Sequence, residues 1–251
     1  MKSITSVSNL TIKEVKKLHQ KKYREKTGLF LVENLKIIMD AFTSGFVPCQ
    51  LFFTSELVKK NSELQSLINR VGEGFEINDQ VNKSISTLDT PSGIVAVYDQ
   101  PEVRFSRGKN CLYLNAINDP GNLGTLLRSA VAFGFDNIIL DEACVDLYNP
   151  KTIHAAKDAI FKLNFSFAVD FSTLKTDYYI LTTSVRGSNP EFKIPKTKSV
   201  CLILGSESHG VDPSLLKLSD QSVSIPTTEK IESLNVAVAG SILMEKIFNK
   251  K

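Results

Sequence analysis

At 251 residues, 42% hydrophobic and 23% charged, the chain has the composition of a globular protein long enough for two domains. No apolar run approaches the ~20 residues that a membrane span needs, and the first ten residues lack the apolar core of a signal peptide, so a cytoplasmic protein is expected. The net charge of +3 is small but uneven: residues 1–107 carry 15 Lys and Arg against 12 Asp and Glu, and residues 108–251 carry 15 against 15.

The excess lies in the opening helix. Thr11 and Glu14 have capping-box spacing, and Ile12, Val15 and Leu18 share one side, so a helix is expected to run to about Lys26. It carries Lys13, Lys16, Lys17, Lys21, Lys22, Arg24 and Lys26 against Glu14 and Glu25. Such a run is either a solvated face or a stripe that contacts nucleic-acid phosphates, with Lys17, Lys21, Lys22 and Arg24 as the candidate RNA-binding residues. A second helix follows over residues 34–42, then short strands at 50–54, 74–77 and 93–98, and a polar helix near 62–70. Residues 1–98 therefore read as a small α/β domain, and 99–108 as a linker with Pro101, Arg104, Arg107 and Gly108.

From residue 109 to 251 the pattern alternates. Strands are expected at 111–117, 137–140, 165–169, 178–184 and 200–204, and helices at 125–133, 152–160 and 233–248, the last with Leu234, Val238, Ile242 and Ile247 as an apolar face. Alternation of this kind predicts a mostly parallel sheet covered on both faces. Cys49, Cys111, Cys144 and Cys201 are far apart and lie in apolar stretches, which fits buried thiols in a reducing compartment. His19, His154 and His209 form no HxxxH or HExxH pair, so no metal is expected.

Three segments are hard to explain as packing, and all follow strands of the alternating part, where an α/β sheet presents its ligand crevice. The first, DPGNLGTLLRSA from Asp119, reads as a turn with Gly121 and Gly124 that lets backbone approach a ligand, with Asn122 at the start of a helix and Arg128 two turns in. A tight turn capped by Asn122 would look the same, and the GxGxxG spacing of a dinucleotide fingerprint is missing, which disfavours a nucleotide-dependent enzyme on a Rossmann-like sheet. The second, LILGSESHG, carries Glu207 between Gly205 and Gly210; the carboxylate is either a site group or a turn cap. In the third, SIPTTEKIESLNVAVAG, Asn235 stands two residues inside the expected helix, where Asn is a poor fit, and Ser233 just ahead of it. As packing residues they would be a helix cap and a buried amide.

Together these segments resemble the three signature motifs of the SpoU, or TrmH, family of RNA ribose 2′-O-methyltransferases of the SPOUT superfamily. The matching positions are Asn122, Gly124 and Arg128; Gly205, Glu207 and Gly210; and Ile225-Pro226 with Ser233-Leu234-Asn235-Val236. The likeness extends to the first hundred residues, which are similar to the SpoU substrate-binding domain in the basic helix and the phrase FLVEN at 30–34. The family usually has Gly where this chain has Asn34, and Met and Gly where it has Thr227 and Glu229.

The resemblance implies a C-terminal trefoil knot that cradles S-adenosylmethionine against Gly205, Ile225 and Leu234. It implies catalytic roles for Asn122, Arg128, Glu207, Ser233 and Asn235 at the target ribose, and a homodimer. The substrate it implies is RNA, ribosomal RNA before tRNA, with a non-catalytic RNA-binding protein of the same fold as the alternative. The reaction is an in-line attack of the ribose oxygen on the sulfonium methyl, in which alignment can contribute ~7–11 kcal/mol. Because a guanidinium is a poor proton acceptor, Arg128 is expected to stay cationic, hold the target phosphate and stabilise the developing alkoxide, while the proton leaves through Asn122, water or phosphate.

Overall fold

The computed structural model describes residues 2–167, 171–184, 191–195, 197–206, 208–228 and 230–250. In chain order the first elements are β1 (Lys2–Ile4), α1 (Leu10–Lys17), α2 (Lys21–Thr27), β2 (Leu29–Glu33), α3 (Leu35–Thr43), β3 (Gln50–Phe53), α4 (Ser55–Lys60), α5 (Leu64–Arg70), β4 (Glu73–Ile77), α6 (Asp79–Ile85) and β5 (Ile94–Asp99). Then come β6 (Cys111–Leu114), α7 (Pro120–Ala132), β7 (Asn137–Leu140), α8 (Pro150–Ala156), a 3-10 turn (Lys157–Phe161), β8 (Asn164–Ser166), α9 (Phe171–Asp177), β9 (Tyr178–Thr183), β10 (Ser199–Leu204), α10 (Pro213–Leu216), β11 (Gln221–Val223) and α11 (Val236–Asn249). They form two compact units: Met1–Glu102 with Asp146–Phe161, and Val103–Val145 with Lys162–Lys251.

The first unit is a mixed sheet in the order β1-β4-β3-β5-β2, with β5 antiparallel to both neighbours. Leu31, Phe52, Phe75, Val95 and Val97 of the strands pack with Ile12, Val15 and Ile85 of the helices into one core. The basic run is two helices instead of one. Asn9, not Thr11, caps the first, its side chain accepting from the Thr11 amide at 2.8 Å. Thr11 thus lies inside the helix and the capping box does not form. The helix stops at Lys17, the His19 ring meets the Ile85 carbonyl at 2.9 Å, and α2 ends on Gly28 at φ +68°.

Residues 146–161, which periodicity assigned to the C-terminal alternation, pack with this first unit. Tyr148 and Phe161 stand 4.8 and 6.1 Å from the ring of Phe30, and Phe161 stands 4.9 Å from that of Tyr98. Asp146 receives the guanidinium of Arg24, whose Nε donates at 3.1 Å and whose Nη2 forms an ion pair, while Nη1 donates to the Leu18 carbonyl at 2.7 Å. Arg24 is only 3% exposed. It therefore leaves the candidate RNA-binding set, because its charge is spent inside the unit.

The second unit holds a six-stranded, wholly parallel sheet in the order β11-β9-β10-β6-β7-β8. Leu114, Leu140 and Leu204 are in register, so the carboxyl ends of β6, β7 and β10 share one edge. From β6 the chain steps outward to β7 and β8, whereas β9 and β11 lie beyond β10. The β6/β10 boundary is therefore a topological switch point, where open α/β sheets bind ligands.

Local chemistry sets the element ends. Asp119 caps α7 by accepting from the Asn122 amide at 2.7 Å, and Pro120 occupies the first helical position, where its missing N–H costs nothing. The helix thus starts five residues before the expected 125, and Gly121 and Gly124 are helical residues, not turn residues. β6 ends at Leu114, ahead of Ala116 at φ +56°. Residues 168 and 169, expected to close a strand at 165–169, lie outside the described residues. α11 begins at Val236, so Asn235 is its cap and not an interior residue.

Candidate active site

Two close approaches build the site. A Cβ on Gly205, just after β10, would overlap the Gly210 carbonyl and the Val211 amide, so only glycine allows the loop to fold back on itself. The loop is pinned by Ser206 N–H to Gly210 O at 3.1 Å and the reverse bond at 2.9 Å, with Gly210 at φ +69°. The second approach is at Gly240 of α11, where a Cβ would come within 2.6 Å of Leu126 on α7 and of Leu204 at the end of β10. Ser129 and Ser241 join the same two helices through hydroxyls 2.7 Å apart.

This packing brings Asn122, in the first turn of α7, against Asn235, the cap of α11. The Asn235 side chain accepts from the amides of Ala237 and Val238 at 2.9 and 3.3 Å, and its Nδ2 donates to Asn122 Oδ1 at 3.0 Å. The residue that sequence patterning found out of place inside a helix is a cap and a bridge at once. Arg128 is exposed two turns along α7, and Ser233 is exposed just before the cap. Glu207 and Glu229 lie outside the described residues.

Beside these residues a cleft of about 710 Å³ opens at the carboxyl ends of β9, β10 and β11. Gly205, Ile225, Leu234 and Ser233 all line it, as does Thr227, and its apolar wall includes Leu204, Val211 and Leu243. The volume is in the range of small-molecule sites. Asn122, Arg128 and Asn235 are not among its lining residues. Patterning missed Thr183 and Ser184, which close β9 and line the cleft. Polar side chains at the end of a parallel strand were the available signal.

A half-buried thiol fixes the loop before α7. Burial pushes Cys144 up to about 12, so it stays protonated, donating to the Leu114 carbonyl at 3.2 Å and accepting from the Ile117 amide at 3.3 Å. In the first unit, Lys21 and Lys22 are exposed on α2 and Lys17 half-exposed at the end of α1. The Nζ atoms of Lys17 and Lys22 lie 5.7 and 4.9 Å from the ring centre of Tyr23.

Comparison with known proteins agrees with this geometry. Residues 109–245 match the SpoU rRNA Methylase family, and residues 9–96 match the MRM3-like substrate binding domain. The chain is 33% identical to the 23S rRNA (guanosine(2553)-2′-O)-methyltransferase RlmP of Bacillus subtilis, over 97% of this chain and 98% of that protein. It is 26% identical to the mitochondrial rRNA methyltransferase 3 of Homo sapiens, over 88% of this chain and 68% of that protein. The crystal structure of the AdoMet-bound rRNA methyltransferase from Sinorhizobium meliloti superposes with a TM-score of 0.85 at 28% identity, covering 97% of this chain and 95% of that one. The chain belongs to the SpoU rRNA methylase family and is an S-adenosylmethionine-dependent RNA 2′-O-methyltransferase.

Proposed function

We propose that the chain methylates a ribose 2′-hydroxyl of ribosomal RNA at a site made by Asn122, Arg128, Ser233 and Asn235, beside a cofactor cleft bounded by Gly205, Ile225 and Leu234. The observation that carries this reading is the Asn122–Asn235 amide bridge next to the cleft at the carboxyl ends of β9, β10 and β11. The choice of ribosomal RNA is supported by the relatives, which are named for it, and by the match of residues 9–96 to a substrate-binding domain.

The cleft fits S-adenosylmethionine: it combines an apolar wall with the backbone of Gly205 and Gly210, which carries no side chain at those two positions. When bound, the cofactor supplies an electrophilic methyl group. The Asn122 and Asn235 amides orient the ribose hydroxyl, and Arg128, exposed and cationic, grips the adjacent phosphate and steadies the developing alkoxide. Lys17, Lys21 and Lys22 supply contacts to RNA phosphates.

We infer further that the second unit carries the family's trefoil knot, since the chain leaves β11 at one sheet edge and returns to lie on α7 and β10. A homodimer is supported by apolar side chains left exposed on α7 and α11, among them Val131, Val238 at 48% and Phe248 at 54%. The fully buried thiols of Cys111 and Cys201, in register on adjacent strands, fit a cytoplasmic setting.

The test is transfer of labelled methyl from S-adenosylmethionine to unmodified ribosomal RNA and tRNA, with the product mapped by resistance to alkaline cleavage. One protected ribosomal position is expected, and Arg128→Lys should lose about 10²-fold in kcat because the bidentate fork is gone. A protected tRNA position would reassign the substrate. Cofactor binding without transfer to any RNA would leave a non-catalytic binder.

A further inference from the structure

We propose that Asp141 is a positioning residue for methyl transfer, acting by fastening the loop after β6 to the loop after β10; the inference rests on the site assigned above. Asp141 follows β7 and nothing in the family motifs includes it. Its carboxylate accepts from Asn115 Nδ2 at 2.5 Å, from the Ala116 amide at 3.1 Å to each oxygen, and from the Ala143 amide at 3.1 Å.

The consequence is an oriented amide. Because a carboxylate only accepts, Asn115 must turn its NH2 toward Asp141 and its oxygen the other way. That oxygen accepts from the Asp212 amide at 2.8 Å, at the far end of the loop that begins with Gly205. The Asn115 backbone N–H donates to the Leu204 carbonyl at 2.9 Å. One carboxylate thus joins three strand ends across the switch point. It also holds Ala116 at φ +56°, a conformation an alanine rarely adopts. Ala116 stands three residues before Asp119, the cap that starts α7 and sets the position of Asn122. The distance between the ribose-orienting amides and the cofactor loop is therefore set by Asp141.

Purely structural support would lower the melting temperature and leave turnover alone. A positioning role makes a different prediction: Asp141→Asn lowers kcat at saturating RNA and cofactor by about 10²-fold, with the KM for S-adenosylmethionine little changed. The pair can also be exchanged. With Asn115→Asp and Asp141→Asn together, the new amide donates to the new carboxylate, whose second oxygen still accepts from Asp212, while the new amide's oxygen accepts from Ala116. The exchange should restore most of the lost kcat.

Wild-type kcat in Asp141→Asn would overturn the proposal, as would an exchanged variant that melts like wild type yet recovers no turnover. If the exchange does not fold, Asp141→Asn is measured in an Ala116→Gly background, where glycine takes the positive φ without strain; low kcat there supports the proposal and wild-type kcat overturns it. Wild-type protein run alongside separates the two readings, since its failure to methylate RNA would overturn the site assignment itself.

Discussion

The two units use charge in opposite ways. In the first, Lys21 and Lys22 face solvent on a short helix, while Arg24 on the same helix turns inward to Asp146. In the second, the groups that matter are amides, a hydroxyl and one exposed arginine near a single sheet edge. Long-range attraction to a polyanion needs cations but little geometry, whereas methyl transfer needs placement to a fraction of an ångström and little net charge.

The sharpest way to break this contrast is inside α2. Arg24→Ala should lower stability by about 3–5 kcal/mol, because it leaves Asp146 charged and without its counter-ion in a largely enclosed site, and denaturant unfolding reads it directly. Lys21→Ala with Lys22→Ala, one turn or less away, should leave stability unchanged but reduce the slope of log affinity for RNA against log salt by about 0.7–0.9 per lost phosphate contact. An unaltered salt slope would return these lysines to a solvated face. In the second unit, Asn235→Ala removes a helix cap worth about 1 kcal/mol, measurable as a fall in melting temperature. Its effect on kcat should exceed what that loss explains, since the bridge to Asn122 goes with it.

The smallest effect is expected at Asn34. This residue sits at φ +93° and ψ +115°, where side chains are strained, and caps α3 by accepting from the Lys36 amide at 3.0 Å. Asn34→Gly should raise stability by roughly 0.5–1 kcal/mol, as relief of backbone strain outweighs a cap loss of a few tenths. The glycine usual at this position in the family thus answers a backbone demand; a fall in stability on substitution would show that the cap dominates.

Sequence patterning located the alternating strands of the second unit because parallel, fully buried strands read as short apolar runs with clear ends; 137–140 is correct to the residue. The motif residues were legible through family likeness, and Gly205, Ile225, Leu234 and Ser233 do share one cleft. What patterning could not supply was pairing at long separation. Nothing near Arg24 announces a partner 122 positions away, and nothing in 152–160 says which sheet it covers. The three-residue edge strand β11 is too short to show a period. The Gly-rich start of α7 misled because Asp119-Pro120 is a helix start that outweighs two glycines.

The first unit is made of two separate stretches of chain, and this has a consequence for biosynthesis. A nascent chain that has emerged only to Glu102 carries most of that unit's core but neither the carboxylate for Arg24 nor the rings of Tyr148 and Phe161 that pack on Phe30. Domains on a ribosome tend to fold in order of synthesis. Here the earlier unit can be completed only after part of the later one has been made, so a fragment cut at the apparent linker leaves a guanidinium without its counter-ion.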